Sequence, residues 1–126
     1  MKKTTQRPRK LRTLLAATAA GTAALITVVG CSSTGGAPRD TGDGGAGNDT
    51  ITGGAEQDTI YGGFGQDSLA GNGSDDVISG GADNDWISGG EGNDRLYGDV
   101  GFDTLIGGGG NDTMYGGSGA DVISAV

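Results

Sequence analysis

The sequence predicts an all-β solenoid, and three observations point there. Residues 44–124 divide into nine consecutive nine-residue units with no insertion or deletion: GGAGNDTIT, GGAEQDTIY, GGFGQDSLA, GNGSDDVIS, GGADNDWIS, GGEGNDRLY, GDVGFDTLI, GGGGNDTMY and GGSGADVIS. The first position is always Gly, the sixth always Asp and the eighth always a large apolar residue. Positions seven to nine suit a short strand whose eighth side chain faces one way while its neighbours face the other. A single unit of this kind cannot bury its apolar side chain, so the units must stack.

Composition limits what else the chain can be. It holds 126 residues with 29 glycines and only six aromatics, one Trp, three Tyr and two Phe, enough for one domain but not for an ordinary core. Six of the eight basic residues lie in the first 12 positions, whereas all 16 acidic residues lie at or after Asp40. The acidic part should repel nucleic acid and attract cations. A disordered acidic tail is the plain alternative, because Gly-rich acidic sequence buries little. Disorder, however, does not demand an apolar residue at every ninth position.

In chain order, Lys2, Lys3, Arg7, Arg9, Lys10 and Arg12 precede an uncharged run over residues 14–29. A basic start before an apolar stretch reads as an export signal covering residues 1–30, not as part of the fold. Diluted by Thr18, Gly21, Thr22 and Thr27, the run is short for a span of about 20 residues. It ends in Val28-Val29-Gly30-Cys31, which resembles a bacterial lipobox. That resemblance implies acylation of Cys31, attachment to a membrane and a mature chain starting at this residue. It also accounts for a lone thiol in an exported protein. An uncleaved anchor and a cut by ordinary signal peptidase are the alternatives. Several acyl chains on one cysteine would give stable attachment, because a single chain binds only marginally.

Residues 31–43 have the Ser, Gly, Pro and Thr content of a flexible tether. Gly35, Gly36 and Asp40 keep the repeat phase, but Pro38 and Gly42 take the fourth and eighth positions. With no apolar residue to bury, this is at best a decayed unit. The repeat domain is therefore expected over residues 44–126.

Each repeat divides into a turn and a strand. Glycines at positions one, two and four allow backbone angles closed to residues with a Cβ and let carbonyls approach an ion. The sixth-position column is Asp49, Asp58, Asp67, Asp76, Asp85, Asp94, Asp103, Asp112 and Asp121. Stacked at a strand spacing of about 4.8 Å, these carboxylates repel unless a cation lies between them, and a hard divalent cation prefers such oxygens.

The pattern resembles the calcium-binding nonapeptide of the RTX (haemolysin-type) family, G-G-x-G-x-D-x-U-x, over about two thirds of the chain. That resemblance implies a right-handed parallel β-roll, in which two units make one 18-residue coil with a strand in each of two sheets. Odd units then stack on odd and even on even. Two facing rows follow, Ile51, Leu69, Ile87, Leu105 and Ile123 in one and Ile60, Ile78, Leu96 and Met114 in the other. Nine such side chains are too few to offset the entropy of ordering the repeats, so another source of stability is needed.

In the family that source is Ca²⁺, held between the turn of one unit and that of the unit two further on by the sixth-position Asp and by turn carbonyls. Five odd and four even turns leave at most seven such gaps. Glu56, Ser74 and Asp83 replace the fourth-position Gly, while Asn72 and Asp99 replace the second, a milder change because Asn and Asp tolerate left-handed angles. Two stacked pairs have both turns intact, residues 44–49 with 62–67 and residues 89–94 with 107–112. The resemblance thus puts Gly45, Gly47, Gly63, Gly65, Gly90, Gly92, Gly108 and Gly110 among the carbonyl ligands.

Tyr61, Tyr97 and Tyr115 all occupy position nine of even units, on the outer face of one sheet, with Ser79 in the intervening row. Such a face could bind glycan rings, or the aromatics could simply pack on one another. Trp86, on the other sheet, reads as surface packing. No enzyme is expected: there is no His, the one Cys is committed to lipid, and no Ser sits in a G-x-S-x-G elbow. The expectation is a calcium-binding, lipid-anchored surface module. A calcium-dependent adhesin for glycan or envelope polymer and a remnant of a larger protein are the other readings.

Overall fold

The computed structural model describes Thr27–Val29 and residues 40–126. Cys31, with the rest of the segments read as leader and tether, lies outside the described residues. The strands are β1 (Thr27–Val29), β2 (Asp40–Ala46), β3 (Thr50–Gly54), β4 (Asp58–Phe64), β5 (Ser68–Gly73), β6 (Val77–Ala82), β7 (Trp86–Glu91), β8 (Arg95–Val100), β9 (Thr104–Gly109), β10 (Thr113–Ser118) and β11 (Val122–Ser124). They form two parallel sheets, one in the order β1-β3-β5-β7-β9-β11 and the other β10-β8-β6-β4-β2. Alternate strands thus enter alternate sheets, which is the expected β-roll.

The register follows from the repeat. Ile51 lies opposite Leu69, Leu69 opposite Ile87 and Ile87 opposite Leu105, each pair 18 residues apart. In the facing sheet Ile60 pairs with Ile78, Ile78 with Leu96 and Leu96 with Met114. Because the strand alternates its side chains, every eighth-position residue points between the sheets. Ile51, Ile60, Leu69, Ile78, Ile87, Leu96 and Leu105 form the buried core, with Met114 packed partly against it. Ile123 continues the row but is 49% exposed, since no further coil covers it among the described residues.

Turns are tied from coil to coil as well. The N–H of Gly47 donates to the carbonyl of Phe64 at 2.8 Å, and the same bond recurs from Gly65 to Ala82, Asp83 to Val100 and Gly92 to Gly109. Each position-four amide therefore reaches the third residue of the coil above. Turn and strand are held by one continuous ladder.

Two segments outside the nine units join the sheets. β2 begins at Asp40, inside the expected tether, with Asp40 opposite Asp58 and Gly42 opposite Ile60. A parallel ladder needs backbone, not an apolar side chain, so a glycine at the eighth position ends the core without ending the sheet. β1 falls within the stretch read as a leader and pairs with β3, Val28 opposite Ile51. Its three residues, Thr27, Val28 and Val29, are all β-branched, and they add to the edge that β3 presents.

Candidate metal centre

The nine sixth-position aspartates stand at the junction of turn and strand, and the fold turns their side chains inward. Asp49, Asp58, Asp67, Asp76, Asp85, Asp94 and Asp103 are all buried, each 4% exposed or less. One oxygen of each stacked carboxylate is used in a regular way. Oδ1 of Asp67 accepts the N–H of Asp49 at 2.7 Å, Oδ1 of Asp85 that of Asp67 at 2.8 Å and Oδ1 of Asp103 that of Asp85 at 2.8 Å. The even stack repeats this, with Asp76 accepting from Asp58, Asp94 from Asp76 and Asp112 from Asp94.

The second oxygen is different. Oδ2 of Asp67, Asp76, Asp85, Asp94 and Asp103 is buried without a hydrogen-bond partner. A buried, half-satisfied carboxylate is costly unless it is protonated or meets a cation. Burial is the main force raising these acids, against the bond from the backbone amide and with help from neighbouring carboxylates. Asp67 is pushed up to about 6, Asp76 and Asp85 to about 7, and Asp94 and Asp103 rise as well.

The orphaned oxygens face a cradle that the glycines keep open. A Cβ on Gly62 would collide with both Asp67 Oδ2 and the carbonyl of Gly80, and one on Gly89 with both Asp94 Oδ2 and the carbonyl of Gly107. A carboxylate oxygen and a carbonyl oxygen thus border the same small space. Positions two and four are glycine for another reason, since their φ angles are positive and a Cβ would strike the matching carbonyl one coil below: Gly45 below Gly63, Gly47 below Gly65, Gly90 below Gly108 and Gly92 below Gly110. Turn carbonyls therefore form columns along the roll.

Such a donor set suits Ca²⁺, a hard ion that takes six to eight oxygens from carboxylates and backbone carbonyls. Among the described residues no three His, Cys, Asp or Glu side chains converge. The roll offers instead a ladder of single carboxylates interleaved with carbonyls. Asp67, Asp76, Asp85, Asp94 and Asp103 with their neighbouring turn carbonyls would hold the ion, which would neutralise the buried charge and join successive coils.

The substituted turns keep this geometry better than the sequence suggests. Asn72, Ser74, Asp83 and Asp99 all adopt the left-handed angles of the glycines they replace, φ 87°, 79°, 87° and 76°. Glu56 does not, and its Oε1 is buried without a hydrogen-bond partner. The turn at residues 53–58 is therefore the irregular one. At the far end Asp112 and Asp121 are only partly buried.

A second ladder went unnoticed in the sequence. Oδ1 of Asn48 accepts the N–H of Gln66 at 2.9 Å, Asp75 that of Asn93, Asn84 that of Phe102 and Asn93 that of Asn111. The signal was the fifth-position column, where Asn, Gln or Asp fills seven of nine units. These side chains tie each of those turns to the turn 18 residues further on. On the outer face Tyr97 and Tyr115 stack with ring centres 5.3 Å apart and planes at 11°.

The family model described as RTX calcium-binding nonapeptide repeat (4 copies) matches residues 34–69, 70–105 and 88–123. No curated protein and no solved structure matches the chain.

Proposed function

Because the chain belongs to the RTX calcium-binding nonapeptide repeat family, whose repeats bind Ca²⁺, we propose that it is a calcium-folded module tethered at a bacterial cell surface through lipid on Cys31. The observation that carries the calcium part is the column of buried Oδ2 atoms without partners, lined by glycines that leave room for an ion. The anchor is supported by the sequence alone, a basic start, an apolar run and Val28-Val29-Gly30-Cys31. On this reading the module has structural and interaction duties and no chemistry of its own.

Two experiments test it. Calcium titration of the protein, followed by far-UV circular dichroism, should show a cooperative gain of β signal with a midpoint on the order of 10⁻⁴ to 10⁻³ M, as for extracellular calcium modules. Mg²⁺ should substitute poorly, because it demands a smaller octahedral shell. Full β signal without calcium would sink the folding switch. For the anchor, Cys31→Ser should abolish membrane partitioning; unchanged partitioning and processing would rule it out.

The stacking of Tyr97 on Tyr115 favours a packing role for the tyrosine row, since ring faces engaged with each other are withdrawn from a ligand.

A further inference from the structure

A groove runs along one corner of the roll, bounded by the fifth- and seventh-position residues of the odd units. One ridge is the amide ladder of Asn48, Gln66 and Asn84, continued by Phe102, and the other is Thr50, Ser68, Trp86 and Thr104. Its volume is about 420 Å³, within the range of ligand sites. The stack of odd strands sets the second ridge, with Thr50 opposite Ser68, Ser68 opposite Trp86 and Trp86 opposite Thr104.

Neither ridge carries a charged side chain. Asn48 and Asn84 each commit Oδ1 to the backbone amide one coil above, which fixes the carboxamide and leaves its NH₂ as a donor. They stand two coils apart, about 10 Å at the spacing of neighbouring strands. Across from them Thr50, Ser68 and Thr104 offer hydroxyls able to donate and accept. Trp86 and Phe102, 43% and 64% exposed, supply large apolar faces at one end. Asp67 and Asp85 in the floor are buried, 3% exposed each, so neither presents its charge to the groove.

The even side provides a contrast within the same molecule. Its corresponding groove holds Gln57, Asp75, Asn93, Thr59, Val77 and Arg95, with charge on both ridges and no aromatic ring. The same backbone thus carries a neutral, aromatic-ended groove on one corner and a charged one on the other. Stacking of the coils requires neither an indole nor a phenyl ring at Trp86 and Phe102, where the preceding odd units hold Thr, Ser, Asn or Gln.

We propose that the odd-side groove binds a neutral, hydroxyl-rich glycan chain lying along the roll axis, its sugar rings against Trp86 and Phe102 and its hydroxyls bonded to the amide and hydroxyl ridges. A sugar ring has an apolar C–H face and a polar edge, and the groove presents both complements. An anionic polymer is disfavoured because neither ridge carries a lysine or arginine to pair with it. This inference rests on the calcium-folded roll, because the ridges exist only when odd coils are stacked.

Trp86 is the one tryptophan of the chain and so reports directly on the groove. Full-length protein in saturating Ca²⁺ is titrated with neutral tetrasaccharides of β-1,4-linked glucose and of β-1,4-linked N-acetylglucosamine, with a β-1,4-linked uronic-acid tetrasaccharide as the acidic control. At least one neutral sugar should give a saturable change in Trp86 emission, and the acidic one none. By calorimetry, Trp86→Ala and Phe102→Ala should each weaken binding roughly tenfold or more, as expected for aromatic anchors. Arg95→Ala on the even side and Tyr97→Ala on the tyrosine row should leave it unchanged. Circular dichroism with calcium is recorded for every variant. A folded roll with no saturable response to either neutral sugar, or a loss on Tyr97→Ala equal to that on Trp86→Ala, overturns the groove; failure to form the roll in calcium overturns the calcium reading itself.

Discussion

The backbone N–H of Asp76 donates to Oδ1 of Asp94 at 2.8 Å, while Oδ2 of Asp94 is buried with no hydrogen-bond partner. One carboxylate therefore does two things: it fixes the coil before it and offers a charged oxygen to the cradle. Asp94→Asn keeps the first role and removes the charge. It should raise the calcium midpoint roughly tenfold, a loss of about 1.4 kcal/mol, with little change in the circular dichroism spectrum at saturation. Asp94→Ala, which loses both roles, should move the midpoint further.

Turn geometry predicts a different ranking from sequence intactness. Asn72 and Ser74 keep left-handed angles, so Asp76→Ala should cost as much calcium affinity as Asp94→Ala. Asp58→Ala should cost less, because Glu56 breaks the pattern in its turn. Parallel calcium titrations of the three variants decide the order, and equal shifts for all three would contradict it.

Acid should stabilise the calcium-free roll. The pKa of Asp67 rises to about 6 and those of Asp76 and Asp85 to about 7 through burial, so the folded form binds protons more tightly than the unfolded chain. This contribution is fully present below the ordinary carboxylate pKa, near 4, and is lost as pH rises through about 6 to 7. In chelator, circular dichroism should therefore show more β signal at pH 4 than at pH 8. With calcium the direction reverses, since protons compete with the ion, and the midpoint should rise as pH falls from 8 to 5.

Glycines of neighbouring turns should respond unequally to a methyl group. Gly62→Ala would drive a Cβ into both Asp67 Oδ2 and the Gly80 carbonyl, whereas a Cβ on Gly73 would meet nothing nearer than 3.7 Å. Calcium titration should show Gly62→Ala crippling the odd stack and Gly73→Ala close to wild type.

Burial orders the apolar column in the same way. Leu96 is fully buried and Ile123 is 49% exposed. Denaturant unfolding in saturating calcium should give a loss of about 2–5 kcal/mol for Leu96→Ala and well under half of that for Ile123→Ala.

Much of this was legible in the sequence because the repeat ties each position to one duty. The eighth-position row follows from period and polarity, the pairing of odd with odd units is what the family resemblance implies, and Leu69 lies opposite Ile87 as that pairing places it. What escaped depends on backbone more than on residue type. Gly42 looked like the end of the repeats, yet its strand pairs with β4, because a ladder bonds through peptide groups. Ser74 and Asp83 looked like damaged turns, yet Asp83 takes a left-handed angle that Asp tolerates, and tertiary stacking holds Ser74 at one its side chain alone disfavours. The groove beside Trp86 arises only when residues 18 apart come together.

The two-sheet alternation gives the chain a parity. Removing 18 residues, such as 71–88, would return every later unit to the sheet it already occupies, and the roll would simply be one coil shorter. Removing nine would leave a roll of sound construction but exchange its sides: Tyr97 and Tyr115 would pass to the sheet that now carries Thr50 and Ser68, and their present positions would be taken by strands from the other register. Stability counts in nines, whereas the identity of each surface counts in eighteens. A family of such proteins can therefore vary freely in length by whole coils, while an odd number of units gained or lost rewrites every face downstream.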